Sequence, residues 1–343
     1  MIENITVSPA PHISKAHSTR SVMLDVLVGL SPAVLAACWL FRVPAIVLIF
    51  TCVASCMATE YLCNLIRKKP NSLDDLSAAV TGVILALSLS PLMPYWAAII
   101  GSVFCIAIGK MVFGGLGANI FNPAMVGRTF LTASFGILMT TWAVPATVMT
   151  PEDDPTQLVK ISAENTQTDA TTQATPLSWA KMAIKGQTDA KEVNKQISAS
   201  IIGQVGGCLG ETSAIALIIG AAWLFYKKTI TFDIPVAVLI GAAVFSGIFW
   251  MVDPDKYVNP VFHLTTGGML LCAFFIATDP VTAPLTRKGM WIFGIGVGVL
   301  VMLIRIIGGY PEGVMYAILI MNALTPLIDR FCKLTPAGGN IKS

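Results

Sequence analysis

Ten stretches of about 20 mostly apolar residues constrain this chain more than any other feature, because that is the length a helix needs to cross a bilayer. They run over about 22–41, 43–65, 75–92, 95–113, 121–142, 206–226, 232–252, 259–279, 288–308 and 312–331. In lipid a spanning segment must satisfy its own backbone polar groups, so such runs read as helices. The predicted fold class is therefore an all-α polytopic membrane protein. Composition agrees. Of 343 residues, 55% are hydrophobic and 12% charged, against about 25% charged in soluble domains. A large soluble core is excluded, and the lipid bilayer is the expected solvent for much of the surface.

A net charge of +3 is too small to argue for nucleic acid, and none is expected as a partner. The eight cysteines form no CxxC pair and mostly lie inside apolar runs, so they read as small buried hydrophobes. His12, His17 and His263 are scattered without metal-ligand spacing, and no metal site is expected. The first twenty residues are polar and lack the apolar core of a cleavable signal, so the first helix is expected to serve as the insertion signal.

The Lys/Arg bias of the short loops sets orientation. With Lys15 and Arg20 in the cytoplasm, Arg67, Lys68, Lys69, Lys227, Lys228, Arg287, Lys288, Arg330 and Lys333 fall on the same side, leaving Arg42 and Lys256 outside. Both termini are then cytoplasmic, and the polar, Thr-rich stretch 143–205 is extracytoplasmic. The predicted organisation is a cytoplasmic segment 1–21, a first membrane half 22–142, the insertion 143–205, a second membrane half 206–331 and a cytoplasmic tail 332–343. Each half has five helices and so must enter the membrane from opposite sides. Related segments recur in them: "VFGGLGANIFNPAMVGRTFL" (112–131) beside "IIGGYPEGVMYAILIMNALTPLID" (306–329), and "SLSPLMP" (88–94) beside "ATDPVTAP" (277–284). This is the pattern of two inverted repeats with broken helices.

Asp25, Glu60, Arg128, Asp279, Arg305 and Glu312 lie in or at the edges of these spans, where ionisable residues face a bundle interior or water. The donor fork of Arg128 or Arg305 suits a cofactor phosphate or a ring carbonyl, and equally a cluster of helix C-terminal carbonyls. Asn119, Asn122 and Pro123 are expected to form a break within or beside the fifth helix, and Asn322 and Pro326 a break in the tenth.

Within the insertion stands Asp169-Ala170-Thr171-Thr172-Gln173-Ala174-Thr175-Pro176-Leu177. Taken alone it is a polar loop of small residues. It resembles the pattern Asp-x-x-Ser/Thr-x-Ala-Thr recognised by extracytoplasmic flavin transferases, in which the last threonine is esterified to the phosphate of FMN. By position Thr175 is the acceptor and Asp169, Thr172 and Ala174 are recognition residues. Gln173 stands where Gly is often found. "STRSVMLDVLVGLSPA" (18–33), "GGLGANIFNPAMVGR" (114–128), "GGMLLCAFFIATDPVTAP" (267–284) and "GGYPEGVMYAILIMNALTPLID" (308–329) resemble the RnfD family. That family supplies the D subunit of the ion-translocating Rnf, or Rsx, complex, and the similarity covers essentially the whole chain. The related NqrB subunit of the sodium-pumping NADH:quinone reductase shares these motifs but has a longer N-terminal extension.

The resemblance implies ten helices in two inverted halves, similar to urea-transporter-like folds. It implies covalent FMN on Thr175 and, as in several members, riboflavin held in the bundle, for which Asn119, Asn122, Arg128 and Asn322 are the candidate residues. It implies a bacterial cytoplasmic (inner) membrane location and a complex with Rnf A, B, C, E and G type subunits, loaded by a flavin transferase. Electrons would pass between ferredoxin and NAD+ with movement of Na+ or H+, so the chain is one subunit of an oxidoreductase, incomplete alone, and Thr175 is an attachment point with no catalytic residue beside it. Three other readings compete: an NqrB-type subunit, a secondary transporter or channel of urea-transporter-like fold, and a scaffold for other membrane subunits.

Overall fold

A computed structural model describes residues 18–142, 175–194, 197, 201, 205–211 and 213–333. Ser18 opens α1 (Thr19–Phe41) by accepting the Ser21 N–H on its side-chain oxygen at 3.2 Å. One residue, Arg42 with φ 53°, separates α1 from α2 (Val43–Ile66). Pro44 sits in the first turn of α2, where a missing N–H removes no helical bond. Both helices are long and apolar enough to cross a membrane, as are α10 (Asp233–Val252), α13 (Arg287–Ile306) and α14 (Val314–Phe331).

The remaining predicted spans are shorter, and all but the fourth are interrupted. The third ends early, as α3 (Ser77–Leu87), and a buried non-helical stretch from Ser88 to Pro94 follows. Pro91 and Pro94 within it have no N–H to continue a ladder. α4 (Tyr95–Met111) then begins, and its last part, Phe104–Met111, is a π-helix. The fifth span becomes α5 (Pro123–Ser134) and α6 (Gly136–Met139). Asn122 caps α5, its Oδ1 accepting the Met125 N–H at 3.3 Å, so the predicted break at Asn119–Pro123 lies beside the helix.

Among the described residues of the sixth span only α9 (Ala214–Tyr226) is helical, and the buried residues Cys208–Gly210 before it are irregular. Backbone left unpaired in a bilayer must find partners, and the two irregular stretches supply them to each other. Leu209 N–H donates to Leu89 O at 3.0 Å and Gly210 N–H to Leu87 O at 2.7 Å. A Cβ on Gly210 would stand 2.9 Å from the Leu87 Cβ, so this approach requires glycine. The eighth span divides at Thr266–Gly268 into α11 (Pro260–Thr265) and α12 (Met269–Leu271), which runs on as a π-helix over Cys272–Ile276.

The tenth span corrects the sequence expectation. α14 continues unbroken through Asn322 and Pro326. Proline removes one rung of the ladder, and the turn before it is reinforced where Thr325 Oγ1 donates to Met321 O at 3.1 Å.

Packing repeats between the halves. α2 packs on α3 and α4, as α10 packs on α11 and α13; α4 packs on α5, as α13 packs on α14. Two pairs close the halves on each other, α1 with α9 and α5 with α14. These pairings within the first half thus have their counterparts five spans later. At the α1–α9 crossing Gly29 faces Gly220, where a Cβ would collide with the Gly29 carbonyl, the close approach that small residues permit in membrane helices.

Part of the insertion is folded. α7 (Pro176–Ile184) and α8 (Ala190–Asn194) pack on the second half through an apolar cluster separate from the main core, made of Leu177, Ala180, Ala183, Ala190 and Val193 against Val258 and Phe262. Leu177, Ala180 and Ala183 recur every third residue, which puts them on one face of α7. Gly186, with φ +73°, turns the chain at the end of α7, the usual place for glycine.

Candidate functional site

Two polar regions occupy opposite ends of the bundle. α10, 20 residues and about 30 Å long, runs from one to the other. The first lies beneath α7, where the eighth span breaks. Arg305, near the end of α13, is 3% exposed and sends Nη1 to His263 O at 2.8 Å and Nη2 to Thr266 O at 3.2 Å. These carbonyls end α11. Glu312 accepts the N–H groups of Gly268, Gly313 and Val314 at 3.0, 3.0 and 3.3 Å. Arg305 and Glu312 join each other at 3.1 Å. A cation therefore holds the C-terminal end of one half-helix and an anion the N-terminal end of the next, as the helix dipoles favour. Of the two roles open to these arginines from sequence, Arg305 takes the carbonyl-binding one.

Arg128, on α5, is buried in the same region. Its Nη2 lies 3.4 Å from Cys208 Sγ and 3.6 Å from Glu211 Oε1. The second distance exceeds a hydrogen bond, and Arg128 Nε and Glu211 Oε1 are buried without a hydrogen-bond partner among the described residues. Thr175 stands at the edge of this region. It shares a small space with Leu177, Gly206, Gly207, Glu211 and Gly267. Its hydroxyl caps α7, accepting the Ser178 N–H at 3.1 Å and lying 2.9 Å from Ser178 Oγ. Thr175 is 5% exposed, which differs from the polar loop expected for it: it caps a helix that is docked on the membrane body. Asp169, Thr172 and Ala174 lie outside the described residues.

At the other end is a cavity partly open to its surroundings. Its walls are mostly apolar, with Val26, Ile84, Phe274 and Phe275 among them, and Asn119, Asn122 and Asp279 also contribute. Such a cleft with a few converging polar groups is the ordinary form of a small-molecule site. Asn119 Oδ1 is buried without a partner among the described residues. The Asn122 N–H donates to Asn322 Oδ1 at 3.2 Å, and Asn122 Nδ2 lies 3.5 Å from Asp279 Oδ2. Asn322 thus stands behind Asn122 and orients the cavity wall.

Lys110, which also lines the cavity, was not singled out by sequence reasoning. It is 1% exposed, and its ammonium meets Glu60 Oε2 at 2.7 Å, Glu60 Oε1 at 2.9 Å and Ser77 Oγ at 2.6 Å. The signal was available: a lysine inside a predicted span is expensive unless paired. Lys110 and the pair Phe274 and Phe275 lie on the two π-helical segments, a distortion that often accompanies functional sites.

The four residues proposed for a second flavin therefore divide. Asn119, Asn122 and Asn322 gather at the cavity. Arg128 does not join them; it is held near Cys208 and Glu211 under α7, because the inward face of α5 carries it away from the Asn122 cap.

Comparison with known proteins gives a consistent result. The model of the NQR2, RnfD, RnfE family matches residues 6–338. The D subunit of a Na+-translocating ferredoxin:NAD+ oxidoreductase complex from Acetobacterium woodii is 42% identical over 331 residues, covering 96% of this chain and 94% of the relative. The D subunit of a proton-translocating ferredoxin:NAD+ oxidoreductase complex from Clostridium ljungdahlii is 40% identical, covering 95% and 94%. The D subunit of an ion-translocating oxidoreductase complex from Stutzerimonas stutzeri is 40% identical, covering 95% and 94%. The helices, their repeated packing and this similarity along nearly the whole length make the chain a polytopic membrane member of the NQR2, RnfD, RnfE family.

Proposed function

We propose that this chain is the D subunit of an ion-translocating ferredoxin:NAD+ oxidoreductase complex and that it carries FMN as a phosphoester on Thr175. The observation that carries the reading is the end-to-end similarity to relatives bearing that name, at 42% and 40% identity. One of those relatives is named for Na+ and the other for protons, so either ion is compatible with this backbone. The remaining assignments follow the basic-residue pattern and the family: a bacterial inner membrane, both termini cytoplasmic, residues 143–205 on the far side, and Rnf A, B, C, E and G type partners.

The residues present fit two flavin positions. Thr175 offers a hydroxyl at the start of a short helix docked on the membrane body. The cavity lined by Asn119 and Asn122 suits a planar amphipathic ring such as that of riboflavin: its walls are apolar, and Asn119 Oδ1 is an unused acceptor for a ring N–H. Flavin, when bound, supplies one- and two-electron chemistry. The chain's own contribution is placement. Covalent attachment keeps a small cofactor from diffusing away and raises its effective concentration beside its partners. Asn322, through Asn122, fixes the polar edge of the cavity.

The test is intact-mass spectrometry and in-gel flavin fluorescence of the protein coexpressed with a flavin transferase. FMN is expected on the peptide containing Thr175 and absent from Thr175→Val. Fluorescence that survives that substitution sinks the attachment assignment, and a colourless protein that moves solute without partners favours the transporter reading.

A further inference from the structure

Loading Thr175 requires a bond to its oxygen, yet that oxygen is covered. Thr175 is 5% exposed, and its Oγ1 is engaged by both the backbone and the hydroxyl of Ser178. Leu177, two residues on, is 6% exposed and lies over the break in the eighth span. A Cβ on Gly267 would stand 2.5 Å from Leu177 Cδ1, 2.6 Å from Glu312 Oε2 and 2.7 Å from Arg305 Nη2, so these groups converge on one point. The Glu211 side chain also borders the space beside Thr175.

One side chain secures this arrangement from outside. Lys181, a turn and a half along α7, donates its ammonium to Gly308 O at 2.5 Å and Tyr310 O at 2.6 Å. It ties α7 to the turn that follows α13. Lys191 of α8 adds an exposed pair with Asp255 at 2.9 Å.

From this geometry, and resting on the reading of Thr175 as the FMN acceptor, we infer that Thr175 is modified only while α7 is undocked, with Lys181 and Leu177 as the latch that closes the acceptor once α7 seats. Covalent loading therefore belongs to the period before docking during assembly, and a chain that has docked unloaded is refractory to the transferase. The chemistry demands an open hydroxyl. Thr175 Oγ attacks the flavin-side phosphorus of a flavin dinucleotide; the Oγ–P bond forms, the pyrophosphate P–O bond breaks, the nucleoside monophosphate leaves and the hydroxyl proton passes to a base of the transferase. No electrons are exchanged. An attacking oxygen must be reached in line by both donor and enzyme, which the docked helix prevents. The loading rate then scales with the undocked fraction.

The experiment uses membranes holding the complete complex, made without transferase. Transferase and flavin dinucleotide are then added, and FMN on this chain is followed by in-gel fluorescence against time. Wild type is expected to load slowly, and Lys181→Ala about tenfold or more faster, the change expected when charge-assisted hydrogen bonds are lost. Leu177→Ala is expected to accelerate loading as well. Lys181→Arg, which keeps the cation, is expected to load at nearly the wild-type rate. All four are expected to load fully when the transferase is coexpressed. Equal rates for wild type, Lys181→Ala and Leu177→Ala overturn the latch. Absence of FMN from Thr175 in every coexpressed variant overturns the attachment reading itself, and the latch with it.

Discussion

The two ends of the bundle use polar residues in opposite ways. Beneath α7, Arg305 and Glu312 pair at 3.1 Å and take five backbone groups of the eighth span and the start of α14. At the other end there is one tight ion pair, Lys110 with Glu60, beside open space and asparagines. The region richer in charge is the more closed one. Charge there compensates backbone freed by a broken helix, whereas the cavity is walled largely by Val, Ile and Phe with an unused acceptor on Asn119. In this membrane bundle, the density of ionisable residues marks where the fold is repaired, and space with a few unspent polar atoms marks where a ligand fits.

That contrast can be broken most directly at the ion pairs. Glu312→Ala leaves Arg305 buried beside three freed N–H groups, and a loss of about 3–5 kcal/mol is expected, as for other buried pairs deprived of one partner. A lowered melting temperature in detergent and poor assembly are the readout; an unchanged melt removes the repair role. Lys110→Met is expected to destabilise by a similar amount, about 3–5 kcal/mol, since Glu60 is wholly buried. The double variant Glu60→Gln/Lys110→Met is expected to recover most of that loss. If it does not, Lys110 matters to the cavity beyond neutralising Glu60.

A smaller effect is expected at Asn119. Asn119→Ala removes the unpaired acceptor and is expected to leave the melting temperature unchanged while lowering noncovalent flavin content. A tenfold weaker affinity corresponds to about 1.4 kcal/mol, the size of one hydrogen bond. Flavin released on denaturation, measured in a Thr175→Val background, reads only this site. Full occupancy would separate the cavity from flavin binding. The smallest effect belongs to Lys191. Its partner Asp255 raises the lysine pKa above its ordinary 10.5. A raised value in the folded state means that the contribution is present below 10.5 and fades as pH rises through the raised value. Exposed pairs are also screened by salt. Lys191→Met is thus expected to change α7–α8 docking slightly at low salt and not at high salt, as seen by hydrogen exchange of the α7 amides. An effect that survives high salt shows that the lysine stem, and not its charge, holds the hairpin.

Much of this was legible before any coordinates. The ten apolar runs located the helices because lipid forces backbone satisfaction within a segment. The repeated Gly- and Pro-rich strings foretold two halves, and the packing of α2 on α3 and α4 recurs in α10 on α11 and α13. Asn119 and Asn122, grouped from sequence, both line the cavity just before α5, because they are three residues apart in the chain. Other features were not legible. Pro326 reads as a break, yet its surroundings tolerate it. Arg128 is six residues from Asn122, but the helix between them carries the guanidinium toward Glu211, which belongs to a different span. Lys110 acquires its meaning only from Glu60, fifty residues away.

The sequence alone determined that this chain lives in a membrane, how many times it approaches crossing it, that its halves repeat, and which threonine carries the acceptor pattern. Those properties are written in local composition and period, where each residue's environment follows from its neighbours in the chain. Tertiary structure decided which broken ends satisfy each other, which charges are partners, where a cavity remains, and that Thr175 is buried at the start of α7. These depend on contacts between residues distant in sequence, made by close packing between helices, and no local pattern specifies them.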